Sequence, residues 1–140
     1  MSDGLERFSV SVPAELLAAC DRLTAERNYP SRSEALRDVM RNYLVASQWE
    51  DSDEEVVGTV TLVYDHEQRM LANQLTAAQH EHIDEVLSTL HIHLDRQNCL
   101  EVIVLRGAAR DVQHLADHLM TARGVKHGKM VCTTTGSKLT

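Results

Sequence analysis

Six residues near the start of the chain, Arg7-Phe8-Ser9-Val10-Ser11-Val12, alternate strictly between polar and apolar side chains. Extended backbone sends successive side chains to opposite faces. A strand here puts Phe8, Val10 and Val12 on one face and Arg7, Ser9 and Ser11 on the other. Pro13 then suits the first position of a helix. Leu16, Leu17, Cys20 and Leu23 recur at helical spacing, and the pattern fades near Arg27-Asn28. Ser31-Arg32-Ser33-Glu34 has the spacing of a capping box, with Ser31 as cap and Glu34 reaching back. Behind it, Ala35, Leu36, Val39, Met40, Tyr43 and Leu44 form an apolar stripe. A strand-helix-helix unit this short has no partner for its strand and too little core to stand alone. A homodimer meets both needs. Two copies of the strand pair as an antiparallel ribbon whose apolar face rests on four helices. The outer face then carries two sets of Arg7, Ser9 and Ser11. A two-stranded ribbon fits the major groove of B-DNA, where these side chains reach base edges.

This arrangement resembles the ribbon-helix-helix design of the β-ribbon DNA readers. Its end is marked by charge: five of the six residues from Glu50 to Glu55 are acidic, a run that resists burial. The expected division is a DNA-binding segment at 1–50, an acidic linker at 51–55 and a second domain at 56–140. The net charge of -7 argues against indiscriminate nucleic-acid binding, and 4% aromatics argue against stacking on single-stranded bases. No run approaches the roughly 20 apolar residues of a membrane span. The opening residues Met1 to Glu6 carry no secretory pattern. Three dispersed cysteines fit a reducing cytosol, so a cytoplasmic protein is expected.

The second segment alternates strands and helices. Val56–Tyr64, Val86–Leu94, Leu100–Leu105 and Val125–Cys132 predict strands. Glu67–Ala78 predicts a helix with Met70, Leu71, Leu75 and Ala78 on one side. Asp111–Arg123 predicts another, capped by Asp111 and stopped by Gly124. The order βαββαβ is the ferredoxin-like split unit, so the whole chain is α+β. On the central hairpin, Leu90, Ile92, Leu94, Leu100, Val102 and Val104 share one face. Leu87, Thr89, His91, His93, Cys99, Glu101, Ile103 and Leu105 share the other. Both faces are apolar and helices cover only one, so the other is expected against a second chain. Two distinct self-association surfaces imply a tetramer, a dimer of dimers.

His91-x-His93 within a strand points both imidazoles to one side, and Cys99 across the turn has the same parity. Singly, each residue reads as core or surface. Together they form an N,N,S donor set suited to borderline and soft divalent metals. Thr89 and Glu101 stand near enough to orient the imidazoles. Three ligands leave one coordination position open, for water or for another protein group. The ligand face is the one expected at a subunit interface. His80 or His82, placed just after the preceding helix, is expected to fill the position from a neighbouring subunit. His66 is expected to have a surface role, although it is available to an adventitious metal site. Cys20 and Cys132 are expected to be core thiols. The chain has no Ser-His-Asp arrangement, no phosphate-binding glycine loop and no HExxH.

The pieces Arg32-Ser33-Glu34-Ala35-Leu36-Arg37-Asp38, Tyr64-Asp65-His66-Glu67, Gln79-His80, Leu90-His91-Ile92-His93, Cys99-Leu100-Glu101 and Asp111-Val112-Gln113-His114 are similar to those of the NikR family of nickel-responsive transcriptional regulators. The resemblance spans roughly residues 5–132. It implies that His91, His93 and Cys99 of one subunit and His80 of another bind one Ni(II) per subunit in a square-planar site. Gln79 and Glu101 support that site from behind. It also implies that Arg7, Ser9 and Ser11 read operator DNA and that the second domain is ACT-like. The resemblance further implies a second cation, held between the segments by Glu34 and Asp38. On spacing alone these two simply share a helix face. A nickel-dependent repressor of nickel uptake, not an enzyme, is the expectation. The alternatives are an enzyme or metal carrier using the His91, His93, Cys99 hairpin, which leaves the strand at 7–12 unexplained, and an amino-acid-responsive regulator, which leaves the His/Cys set unexplained.

Overall fold

The computed structural model describes residues 4–51 and 53–140, with the side chains of 69–72 outside the description. Residues 1–3 of the expected first domain, Ser52 of the acidic run, and the side chains of Met70 and Leu71 therefore lie outside the described residues. The chain divides into two compact units, Met1–Met40 and Arg41–Thr140.

In the first unit, residues 4–13 are all exposed and form neither helix nor ladder. A ladder needs a second strand, which is expected from the sequence to come from another copy of the chain. Helix α1 (Ala14–Glu26) begins one residue later than expected, with Pro13 as its N-cap. It ends where Asn28 adopts φ +57°, the left-handed conformation Asn tolerates, and the Tyr29 N–H donates to the Thr24 carbonyl. Helix α2 (Arg32–Glu50), whose residues from Arg41 on belong to the second unit, starts from the expected cap: the Glu34 N–H donates to Ser31 Oγ at 3.1 Å. Arg32 holds Asp21 of α1 through two bonds, from Nε at 2.9 Å and Nη2 at 2.8 Å. Neither helix contains a buried residue, and Leu16, Leu23, Leu36, Val39 and Met40 all stand exposed. Cys20 is exposed as well, so it is not the core thiol expected. From the sequence, the partner for its stripe is expected in a second copy.

The second unit has its own core. Strands β1 (Glu55–Asp65), β2 (Val86–His93), β3 (Asn98–Ala108) and β4 (Val125–Thr134) alternate with helices α3 (Arg69–Glu81) and α4 (Ala109–Met120). The sheet order is β2-β3-β1-β4, and every pair is antiparallel. This is the expected ferredoxin-like βαββαβ arrangement, and the chain is α+β. Val56, Val60, Leu62 and Tyr64 of β1 and Cys99, Ile103 and Leu105 of β3 meet Leu75 of α3 and Val112, Leu115 and Leu119 of α4. Helix α3 runs three residues further than the apolar pattern suggested, so His80 lies within its last turn and not after it. Helix α4 starts at Ala109 with Asp111 inside the first turn, and it stops at Met120. Gly124, at φ +99°, serves the turn into β4 instead of ending the helix.

Two expectations are corrected. Cys132 on β4 is exposed, not a core thiol. The face bearing Cys99, Glu101, Ile103 and Leu105 is the one the helices cover, whereas Leu90, Ile92, Leu94 and Val131 on the opposite face are exposed. Alternation alone left open which apolar face the helices choose. Helix α4 packs on β1, β3 and β4, while β2 is an edge strand. His91 and His93 therefore share the covered face by parity, yet remain exposed at its rim. The acidic run is not free: Asp53 pairs with Arg110 at 2.5 Å and Glu55 with Arg106 at 2.6 Å, both exposed, and the half-buried Glu54 pairs with Lys138 at 2.7 Å.

Candidate metal centre

The centre is built where the β2–β3 hairpin meets the end of β1. Antiparallel register sets His93 opposite Cys99 and His91 opposite Glu101. It also sets Tyr64 opposite Cys99 on the other side of β3. The connecting turn is shaped by Asp95, whose Oδ1 accepts from the N–H groups of Gln97 at 2.8 Å and Asn98 at 2.7 Å. Donation from the Asn98 side chain, then from these two N–H groups, lowers the Asp95 carboxyl to about 2. The His66 N–H donates to the Gln97 carbonyl at 2.8 Å, which brings the residue after β1 up to the hairpin.

The result is a cluster at one rim of the sheet. His93 Nδ1 lies 3.4 Å from Cys99 Sγ. His66, His93 and Cys99 each offer one donor atom, and these atoms lie within 4.8 Å of one another. The His66 and His93 rings stand edge to face at 5.2 Å, and the His91 ring centre is 5.1 Å from that of His93 and 6.0 Å from that of Tyr64. Cys99 is buried and the imidazoles are exposed. Burial, then the nearby carboxylates Asp65, Asp95 and Glu101, raise the Cys99 thiol above its ordinary value. A divalent ion at this point favours the thiolate and offsets those carboxylates. The structure brings His66, not His91, into the donor set with His93 and Cys99. The His91 ring stands beside that set, 5.1 Å from His93 between ring centres, and imidazole and sulfur donors suit a borderline divalent metal.

Behind the cluster lies a closed polar network. The Tyr64 hydroxyl donates to Glu101 Oε2 at 3.0 Å, and Gln79 Nε2 donates to Glu101 Oε1 at 3.1 Å. Glu101 is only 8% exposed, so both its oxygens are matched where an unmatched one is costly. Desolvation, followed by the Glu101 charge, raises the Tyr64 hydroxyl and keeps it a donor. From sequence alone Tyr64 has no role in the site, because its partner is 37 positions away. Its inward parity on a Val/Thr-rich strand was the available signal. Gln79 connects the network to the last turn of α3, where the next residue is His80. His80 is exposed and lies outside the three-donor set, in a shallow cleft with Ile83, Leu87 and Thr89.

The other candidate residues fall in the first unit. Arg7, Ser9 and Ser11 are exposed on the segment before α1. Glu34 accepts from Arg37 Nη2 at 2.7 Å, and Asp38 accepts a short hydrogen bond from the Tyr29 hydroxyl. Both carboxylates already have donors within their own unit.

Residues 57–133 match the family model for the NikR C-terminal nickel binding domain, and residues 6–47 match that for ribbon-helix-helix proteins of the copG family. A relative from Pyrococcus abyssi, named a nickel-responsive regulator, is 50% identical over 96% of this chain and 98% of its own length. One of the same name from Geobacter sulfurreducens is 56% identical over 95% and 96%. Among solved structures, an uncharacterized protein from Thermotoga maritima has a TM-score of 0.51 at 18% identity, over 56% of this chain and 98% of that one, a likeness of fold alone. A ribbon-helix-helix segment joined to a ferredoxin-like metal-binding domain defines a class of metal-responsive transcription regulators. Within that class, this chain belongs to the NikR family of nickel-responsive regulators.

Proposed function

We propose that the chain is a cytoplasmic, nickel-dependent repressor, without catalytic activity, that binds operator DNA as a homotetramer when each subunit holds one Ni(II). The observation that carries this reading is the His93–Cys99 pair at 3.4 Å, flanked by His91 and His66 on the rim of a helix-covered sheet. His91, His93 and Cys99 supply three ligands, and His80 of a second subunit supplies the fourth. The exposure of His80 and its place outside the cluster of its own chain favour this role. Glu101, fixed by Tyr64 and Gln79, sits opposite His91 in register, where it orients the ligand strand and links it to the turn carrying His80. Bound nickel supplies a fixed positive centre joining two chains. It shifts the assembly only through its different affinity for two arrangements of them.

The absence of any buried residue in α1 and α2 supports dimerisation of the first unit. The exposed Leu90, Ile92, Leu94 and Val131 support a second contact through the sheet. In the paired ribbon, Arg7, Ser9 and Ser11 face base edges. A second cation at Glu34 and Asp38 completes the reading, taking the place of the Arg37 and Tyr29 donors. Among the described residues no helix is long and apolar enough to cross a membrane, which suits a DNA-binding role. The test is a gel shift on promoter DNA with and without stoichiometric Ni(II). Nickel is expected to bring out a discrete shifted band, and equal binding in both lanes overturns the proposal.

A further inference from the structure

Trp49 is the one tryptophan of the chain, and neither the metal cluster nor the reading segment uses it. It stands in the last turn of α2, half-buried against the core of the second unit. Its indole N–H donates to the backbone oxygen of Thr133 at 2.8 Å. Its ring rests on Gly58 of β1, where an added methyl would lie 3.1 Å from the ring's Cη2 and 3.0 Å from Met130 Cε. Gly58 thus provides bare backbone as a seat. Gly58 pairs with Cys132 and Val57 with Thr133, so the ring spans β1 and β4 together. Strand β1 then continues to Tyr64, opposite Cys99, and Asp65, next to His66. The six steps from Gly58 to Tyr64 span about 20 Å of central strand.

We propose that Trp49 is the positioning residue through which the metal-binding sheet acts on the DNA-reading half: seated on Gly58 and bonded to Thr133, it fixes the C-terminal half of α2 to that sheet. Helix α2 is continuous from Arg32 to Glu50, yet the division into units falls between Met40 and Arg41. One half of this helix belongs with the reading segment and the other with the sheet. After the helix, Asp53 is held by an exposed pair with Arg110, which contributes little, and Glu54 by Lys138 and by the Ala109 N–H, which donates to its carbonyl at 2.9 Å. These contacts hold the residues after α2, whereas Trp49 holds the helix itself. Arg41 adds a bond from Nε to the Thr140 backbone oxygen at 2.9 Å, also exposed. The ring is a large apolar contact between the end of α2 and the sheet within the second unit, and its N–H fixes its orientation. Coupling between two sites requires an element whose state both sites bias, and a helix shared by both units and clamped at one end meets that requirement. This inference rests on the reading that nickel raises DNA affinity.

The experiment compares the full-length wild type with Trp49→Ala, Trp49→Phe and Gly58→Ala. Far-UV circular dichroism and the sulfur-to-nickel absorption band report the fold and metal site, and gel shifts with and without Ni(II) report the gain in DNA affinity. Trp49→Ala and Gly58→Ala are expected to bind nickel as the wild type does but to lose about tenfold or more of the nickel-dependent gain. Trp49→Phe, which keeps a ring on Gly58, should retain most of it. Gly58→Ala keeps the tryptophan, so stronger acrylamide quenching of its fluorescence should show the ring lifted from its seat. A full gain in both Trp49→Ala and Gly58→Ala overturns the inference while leaving the function intact. Loss of the nickel band in both also overturns it, because Trp49 would then support the metal site itself. A wild type with no nickel-dependent gain overturns the functional reading and the coupling role together.

Discussion

Gln79 of α3 and Glu101 of β3 are joined across the second unit, amide Nε2 to carboxylate Oε1 at 3.1 Å, and the other Glu101 oxygen accepts from Tyr64. One carboxylate thus ties together the helix turn that precedes His80, the strand that carries Cys99 and the strand that leads to His66. Replacing it with Ala removes the acceptor for a buried hydroxyl and a half-buried amide. Glu101→Ala should lower stability by about 1–3 kcal/mol for the Tyr64 hydroxyl alone. Glu101→Gln keeps the shape and one acceptor oxygen and should cost less. Urea unfolding of the metal-free protein checks this, and equal midpoints for the wild type and Glu101→Ala would sink it.

Ligand roles are separated by the absorption of the nickel-loaded protein. Cys99→Ala should abolish the sulfur-to-metal band. His80→Ala should move it, because the fourth ligand is replaced while three remain on one hairpin. His66→Ala should leave it in place if His91 is the third ligand. A band lost in His66→Ala and kept in His91→Ala would assign the site to the tighter cluster of His66, His93 and Cys99.

The Cys99 thiol sets a pH dependence. Burial and three neighbouring carboxylates raise it, so the metal-free site holds a proton at neutral pH. Nickel displaces that proton, and affinity should rise with pH by about tenfold per unit for each proton released. The sign for metal-free stability is opposite. A group raised on folding stabilises the fold below its unfolded value and loses that contribution as pH rises through the folded one. The metal-free protein should therefore weaken in alkali while the nickel form gains. Nickel titrations at several pH values check the first point and thermal melts the second. A pH-independent affinity would mean that the thiol is not a ligand.

Much of this layout can be read in the chain itself. Ser31 and Glu34 mark the start of α2 because a cap is a local interaction three residues long. The shared parity of His91, His93, Cys99 and Glu101 follows from strand geometry and survives in the register. What could not be read is non-local. His66 reaches the cluster because β1 ends beside the hairpin turn, a meeting made by a hydrogen bond to Gln97 thirty-one positions away. Both hairpin faces alternate apolar residues, so the sequence alone left the helices' choice of face undetermined. The seat of Trp49 depends on Gly58 and Met130, which no periodicity connects to it.

Arg7→Ala tests the reading strand. If each Arg7 makes a bidentate contact to a base, its loss should weaken specific binding by about 1–3 kcal/mol per contact, twice over in a symmetric dimer, with nickel uptake unchanged. Unchanged operator affinity would move the reading role to other side chains.

Val10→Lys tests the ribbon. Val10 is 67% exposed and Phe8 66% exposed in a single chain, and the ribbon needs both in its apolar face. A charge at that face should prevent pairing of the first units while the sheet contact persists. Sedimentation should then show a smaller species than the wild type. A wild-type assembly carrying Val10→Lys would disprove the ribbon.

The absence of any buried side chain in α1 and α2 gives the two halves different relations to abundance. The sheet unit carries its core within one chain, so its integrity does not depend on how many copies are present. On the proposed dimer, the reading half is complete only where copies meet, and its formation follows mass action. That dimer predicts a threshold concentration below which the protein keeps the fold around its metal cluster while the apparatus that reads DNA comes apart. Expression level then acts as a second input, setting whether any metal signal can be transmitted at all.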